Sequence, residues 1–214
     1  MFSNRDEAGY LLAQELIKYK GKPVVVMAIP RGGLPLGAAV AGMLEAPLEV
    51  ALTKKIGHPF NREYAIGAVS REQIVLNRPE GVSEEYIKAE TERLRQSLEE
   101  RHRMFHRNIK PVPLKGKHVI IIDDGIATGN TLRVTVALIA AAAPEQIIVA
   151  IPVAPPDAVE RLAEMSEVDE VVCLETPWDF HAVGQFYEDF TAVSDKEALE
   201  IFEAVATSNS SSTS

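Results

Sequence analysis

The sequence predicts a doubly wound α/β fold, a mainly parallel sheet with helices on both faces, and three observations carry that expectation. Apolar runs rich in β-branched residues recur at Val24 to Ile29, Val119 to Ile122 and Gln146 to Val153. Central parallel strands covered on both faces read in this continuous way, whereas a half-exposed strand alternates. Between the runs lie segments with helical spacing of apolar residues, so strand and helix alternate along the chain.

Asn4 or Ser3 caps a first helix whose Ala8, Leu11, Leu12, Leu16 and Tyr19 recur at helical spacing and which ends before Gly21. Val24 to Ile29 is the first strand, Pro30 to Gly33 a turn, and the segment onward to Leu44 a helix. Leu48 to Thr53 reads as a second parallel strand. Residues 54–70, with Gly, Pro and Asn near their centre, read as a loop followed by a hairpin, and Gln73 to Leu76 as the returning strand.

Ser83 to Arg107 predicts one long helix, inserted before the next strand. Acids follow Ser83 and bases fill the last turn, the order that suits the helix dipole. Ile87, Leu94, Leu98 and Phe105 form a narrow apolar stripe, so one side packs on the protein and the other meets solvent. Val119 to Ile122 and a helix over Leu132 to Ala142 follow, then Gln146 to Val153, a helix over Pro156 to Met165, and a last strand over Glu170 to Leu174. Asp195 to Ala206 forms a closing helix, and the serine-rich residues 207–214 are expected to be disordered.

At 214 residues the chain can hold one sizeable core, and no linker separates a second domain, so residues 1–206 are expected to form a single domain. Apolar runs such as Val134 to Ala143 are too short to span a membrane, and the first residues lack the apolar core of a signal peptide; a cytoplasmic protein is the expectation. The one cysteine, Cys173, sits in an apolar run and fits a small buried hydrophobe better than a nucleophile. A net charge of −9 argues against general binding to nucleic acid, which requires a basic surface. The basic end of the long helix, with Arg101, Arg103 and Arg107, fits a solvated helix end better than an RNA patch.

The chemistry concentrates in two strand-to-helix turns. VIIIDDGIATGNT, residues 119–131, ends a buried strand in two adjacent carboxylates and a Gly/Thr-rich turn that opens a helix. Amides at such a turn can hold a phosphate, and the carboxylates beside it can accept from hydroxyls, a combination suited to a sugar phosphate. A purely structural turn, with Asp124 and Thr131 as helix caps, is the bland alternative. The second turn, PRGG at 30–33, places Arg31 with its fork of donors before two glycines that let a large anion approach the main chain.

These residues resemble the signature of the type I phosphoribosyltransferases, which use 5-phosphoribosyl-1-pyrophosphate (PRPP). The likeness runs through PRGG, KKIG, EYAIGAV, DDGIATG and WDFHAVGQFY, and the chain is most similar to stand-alone bacterial and archaeal members whose acceptor is not settled. By position it implies that Asp123 and Asp124 hold the ribose hydroxyls, with Gly125, Ile126, Ala127, Thr128, Gly129, Asn130 and Thr131 forming the ribose 5-phosphate turn. Gly125 stands where the family usually has an aliphatic residue. Arg31, Gly32 and Gly33 would hold the pyrophosphate, in a loop that often carries a strained peptide bond, placed by position at Arg31–Gly32. Asp123, Asp124 and Arg31 are thus the implied catalytic residues.

The resemblance further makes residues 54–77 a mobile lid, with Lys54, Lys55, His58 and Arg62 as candidate pyrophosphate or substrate contacts. Residues 176–190 would be the hood, where aromatics beside acids suit a flat heterocycle, and Trp178, Asp179, Phe180 and Phe186 are the candidate acceptor contacts; equally, these aromatics could seal the sheet edge. The implied cofactor is Mg2+, reaching the site with PRPP and water beside Asp123 and Asp124, and the implied partner a second copy in a homodimer. The implied reaction moves 5-phosphoribosyl to a nitrogenous acceptor and releases pyrophosphate. Ala127 replaces the turn aspartate that acts as base in the hypoxanthine-guanine branch, which disfavours that mechanism. A regulator that senses PRPP or a nucleotide, and a hydrolase or phosphorylase acting on a ribose phosphate, would use the same residues.

Overall fold

A computed structural model describes residues 1–77 and 81–211, apart from the side chains of residue 63 and residues 209–211. Five strands, β1 (Val24–Ala28), β2 (Leu48–Val50), β6 (His118–Ile122), β7 (Gln146–Val153) and β8 (Glu170–Glu175), form an all-parallel sheet in the order β2-β1-β6-β7-β8. Helix α1 (Arg5–Glu15), α2 (Gly33–Leu44) and α6 (Asp195–Ser211) cover one face around Leu12, Leu36, Ile120 and Phe202. The other face lies under α4 (Asn130–Ala140) and α5 (Pro156–Ala163), around Ile121, Leu132, Val149 and Leu162. The side chains of β6 alternate between these two apolar layers, which is why the whole run had to be aliphatic.

Strand order decides where a ligand can enter. After β1 the chain crosses to β2 on one side; after β6 it crosses to β7 on the other. Their two exit loops diverge and open a crevice at the carboxyl edge, the switch point of a doubly wound sheet. Ala28 pairs with Ile122, and Ile29 N–H donates to Ile122 C=O at 2.8 Å, so both loops leave the sheet at one level.

The segment after β2 departs from expectation. Leu52 N–H turns back onto Val50 C=O, ending β2 early. Residues 54–58 are not a loop: β3 (Lys54–His58), β4 (Asn61–Val69) and β5 (Ile74–Leu76) make a separate three-stranded antiparallel sheet. Helix α3 (Glu84–Phe105), capped by the Ser83 hydroxyl at Tyr86 N, packs on it: Ile56, Ile66 and Val69 share a core with Leu94 and Leu98. Tyr86 Oη donates to Gly57 C=O at 2.8 Å. The long helix and the expected lid are therefore one packed unit.

At its far end α3 is tied to the main sheet by a buried polar contact. Glu49 on β2, 5% exposed, accepts from Val112 N–H at 2.8 Å and from His106 Nε2 at 2.9 Å. Glu49→Ala strands both donors in an apolar surrounding and is expected to cost about 3 kcal/mol. A urea melt reads this as a lower midpoint at unchanged slope, and an unmoved midpoint would mean the contact contributes nothing.

The closing helix is also longer than the sequence suggests. Residues 207–211, expected to be disordered, continue α6 to Ser211; Thr207 Oγ1 donates to Glu203 C=O and Ser208 Oγ to Ala204 C=O, so hydroxyls bond back onto the helix. Residues 212–214 of the expected tail lie outside the described residues. Cys173 sits half-buried on β8, where burial raises its thiol to about 11, away from thiolate chemistry. Among the described residues no helix is long and apolar enough to cross a membrane.

Candidate active site

Asp123 and Asp124 leave β6 directly into the crevice. Asp123 Oδ1 accepts from Asp124 N–H at 2.9 Å. Asp124 Oδ2 receives Arg5 twice, from Nε at 2.9 Å and from Nη2 at 2.8 Å, with both side chains largely buried. Burial raises the Asp123 carboxyl well above the usual range, and the Asp124 charge adds to the rise. Asp124 is raised as well, again by burial first, with Arg5 opposing. Two carboxylates share a poorly hydrated place, and one guanidinium only partly offsets them.

The first loop lies against these acids. A Cβ on Gly32 would stand 2.0 Å from Asp124 Oδ2, and one on Gly33 would stand 2.6 Å from Ile122 O. Neither glycine has positive φ, so their value here is close approach, of Gly32 to the Asp124 carboxylate and of Gly33 to the β6 main chain, rather than unusual conformation. The cis peptide bond of this loop is Pro30–Arg31, one bond earlier than position implied. Gly32 already has helical φ and ψ, and Gly33 N–H donates to Ile29 C=O, so the Arg31–Gly32 bond belongs to the start of α2. Arg31 projects outward, half-exposed, with Nη1 3.6 Å from Asp195 Oδ1.

The second loop divides its residues between support and exposure. Gly125 has φ +144°, and a Cβ there would meet Val183 Cγ1 at 2.6 Å, so the departure from the family's aliphatic residue is demanded by this packing. Ile126, implied as part of the ribose 5-phosphate turn, has its side chain buried against the sheet and its amide donating to Val153 C=O. Ala127, Thr128, Asn130 and Thr131 are exposed around the start of α4, and Gly129 forms its N-cap. Thr128, Asn130 and Thr131 face Lys54, Lys55 and Tyr64 of the three-stranded sheet across a cleft of about 1140 Å³. Lys54 Nζ donates to Ser97 Oγ on α3 at 3.0 Å. His58 and Arg62 sit farther out at the β3–β4 tip, His58 beside the rings of Phe60 and Tyr64.

Of the hood candidates, Trp178 is 91% exposed and Asp179 pairs with His181 at 3.0 Å on the surface. Phe186 is a core residue whose carbonyl accepts from Phe2 N–H, and Phe180 stacks on it at 5.3 Å; this pair seals the fold rather than facing the acids. The same segment reaches the acids with other residues. Tyr187 Oη donates to Asp124 C=O at 2.6 Å, Phe190 lies under the Arg5 guanidinium at 4.0 Å, and Thr191 C=O accepts from Arg5 Nη1 at 2.7 Å. Arg5, Tyr187 and Phe190 were missed because their partners are remote in sequence; the arginine placed next to a helix cap in an otherwise acidic N-terminal turn was the one local signal for Arg5.

Adjacent carboxylates at a switch point, a glycine loop pressed against them and a helix-opening turn make up the candidate site of this doubly wound sheet. The family described as "Phosphoribosyl transferase domain" matches residues 6–190, and the chain belongs to this family. It is 39% identical over 205 residues to the Mycobacterium tuberculosis protein named "Putative phosphoribosyl transferase Rv0571c", an alignment covering 93% of this chain and 46% of that longer protein. TT1426 from Thermus thermophilus is similar in structure with a TM-score of 0.87 and 37% identity, over 96% of this chain and 99% of that one. A Neisseria gonorrhoeae protein solved with bound ppGpp shares the fold at a TM-score of 0.51 and 15% identity, over 94% of this chain and 92% of that one.

Proposed function

We propose that this chain transfers the 5-phosphoribosyl group of PRPP to a nitrogenous acceptor, a nucleobase or related compound, with release of pyrophosphate. The observation that carries this reading is the contact between the two loops, with Gly32 set directly on Asp124. A ligand bridging them would place its ribose at Asp123 and Asp124, its 5-phosphate at Ala127 to Thr131, and its pyrophosphate at Arg31 to Gly33. C1 of the ribose then lies between the acids and Arg31, where charge develops as the bond to pyrophosphate breaks.

The side chains act by holding and by charge. The carboxylates accept from the ribose hydroxyls, while the α4 N-terminus and neighbouring amides hold the 5-phosphate. Arg31 meets the charge that grows on the leaving group. The lid unit, through Lys54 and Lys55, shields a ribosyl centre that water would otherwise intercept. Asp123 and Asp124 fit a divalent cation in one respect: each carboxyl is held above its usual range, so a positive charge beside them relieves their crowding. Among the described residues no group of three or more protein ligands could hold a metal, so Mg2+ would share these acids with ligand oxygens. When bound it neutralises charge on the leaving pyrophosphate.

Incubation with PRPP, Mg2+ and a panel of nucleobases and amines tests the reading. Acceptor-dependent pyrophosphate release is the expected result. Tight PRPP binding without release by any acceptor would point to a sensor, and release without an acceptor to a hydrolase. Failure to bind PRPP at all would remove the proposal.

A further inference from the structure

Asp195, the first residue of α6, is ion-paired with two guanidiniums that come from different elements. Arg101 Nη2 of α3 donates to its Oδ1 at 3.0 Å, and Arg31 Nη1 of the glycine loop lies 3.6 Å from the same oxygen. Two positive groups thus share one negative one, in a chain whose net charge is −9. Asp195 is not needed to start its helix, since Ser194 does that: Ser194 Oγ accepts from Glu197 N–H at 3.1 Å and Glu197 reaches back to Ser194 N–H. Arg101 is well anchored. Leu98 and Phe105, three residues before and four after it, are both 1% exposed and fix that side of α3 to the protein.

We infer that Asp195 is a built-in stand-in for a diphosphate, and that Arg101 is a second guanidinium of the pyrophosphate half-site. This rests on the PRPP reading above and extends it to the long helix. In the free protein the Asp195 carboxylate bridges the two arginines. A ligand diphosphate carries more charge and more acceptor oxygens than one carboxylate, so it displaces Asp195 and takes both forks. All three side chains are between one-third and just over one-half exposed, so the exchange needs no unfolding.

Calorimetric titration with inorganic pyrophosphate and, separately, with ribose 5-phosphate tests it, both in the presence of Mg2+. Arg101→Gln is expected to weaken pyrophosphate binding about tenfold or more and Arg101→Lys less, with ribose 5-phosphate unchanged in both. Asp195→Asn is expected to strengthen pyrophosphate binding several-fold, and the affinity should fall as salt rises. An unchanged pyrophosphate affinity in Arg101→Gln overturns the inference. Equal losses for both ligands, the mark of a structural defect, overturn it too, as does weaker pyrophosphate binding in Asp195→Asn. If the parent protein binds neither ligand, the PRPP reading itself falls and takes this one with it. If Arg31→Gln loses pyrophosphate affinity while Arg101→Gln and Asp195→Asn behave as the parent, only this inference falls.

Discussion

Asp123→Asn is expected to weaken PRPP binding by about a hundredfold and, in the same protein, to raise the melting temperature of the ligand-free form. The two effects have one origin. The Asp123 carboxyl is held well above its usual range by burial, with the Asp124 charge behind it. An unfolded aspartate titrates near ~3.9. Between that value and the raised folded one, the folded protein holds a proton that the unfolded chain has released, so stability is fully present at the acid end and declines as pH rises through this window. Above the unfolded value, burying this carboxyl is therefore a standing cost. Asparagine removes the charge and keeps an oxygen for Asp124 N–H, so a gain of about 1 kcal/mol would appear as roughly 2–4 °C. Binding suffers because charge-assisted acceptance from ribose hydroxyls is worth about 1.5–3 kcal/mol per bond. A thermal melt across pH alongside a PRPP titration checks both arms. A melting temperature that falls, or an affinity that stays, contradicts the argument; the difference in stability between parent and variant should also shrink as pH falls.

Phe202→Ala is expected to be the most damaging truncation on α6, at about 3–5 kcal/mol. Phe202 is fully buried, its ring meets Phe105 edge-on at 5.6 Å, and it lies 5.4 Å from the His106 ring. Removing it leaves a cavity at the place where α6, the end of α3 and the main sheet meet. For a domain with a typical total stability of about 5–15 kcal/mol that is a large fraction. Chemical denaturation gives the magnitude, and a loss below about 1 kcal/mol would mean that α6 is not part of the cooperative unit.

What the sequence made legible was local. A run such as Val119 to Ile122 is buried whatever lies beside it, and the turn that follows carries its acids and its glycines in contiguous order, so strand, turn and helix could be read together. The stripe on the long helix was legible for the same reason: Leu94, Leu98 and Phe105 do face the interior. It marked the buried side without naming its partner, because that partner is a sheet read partly as loop. Gly57 and Pro59 signalled irregularity, and the irregularity is real, with the β3–β4 register shifting on both sides of Gly57; it distorts the strand without abolishing it. The glycines of the PRGG turn suggested room for an anion beside the main chain, whereas the close approach seen at Gly32 is to Asp124 and depends on where that residue stands in space. In residues 176–190 the aromatic composition singled out Trp178, Phe180 and Phe186, while the rings linked to Asp124 and Arg5 are others of the same segment. Tyr187 and Phe190 reach the acids through Asp124 and Arg5, contacts that no periodicity announces.

Those contacts also set a timetable. Arg5 is made 119 positions before Asp124, while Tyr187 follows that aspartate by 63 positions and closes on the same group. Loops of this length are entropically slow to close, so non-local contacts of this kind lag behind local helices. As a nascent chain leaves the ribosome, β1 and β6 can pair and bury their aliphatic faces while the carboxylate pair still lacks its later brace. The brace at the acids is thus added late, and a chain stalled before residue 187 would lack both Tyr187 and the α6 side chains Ala198 and Phe202 that complete one apolar layer.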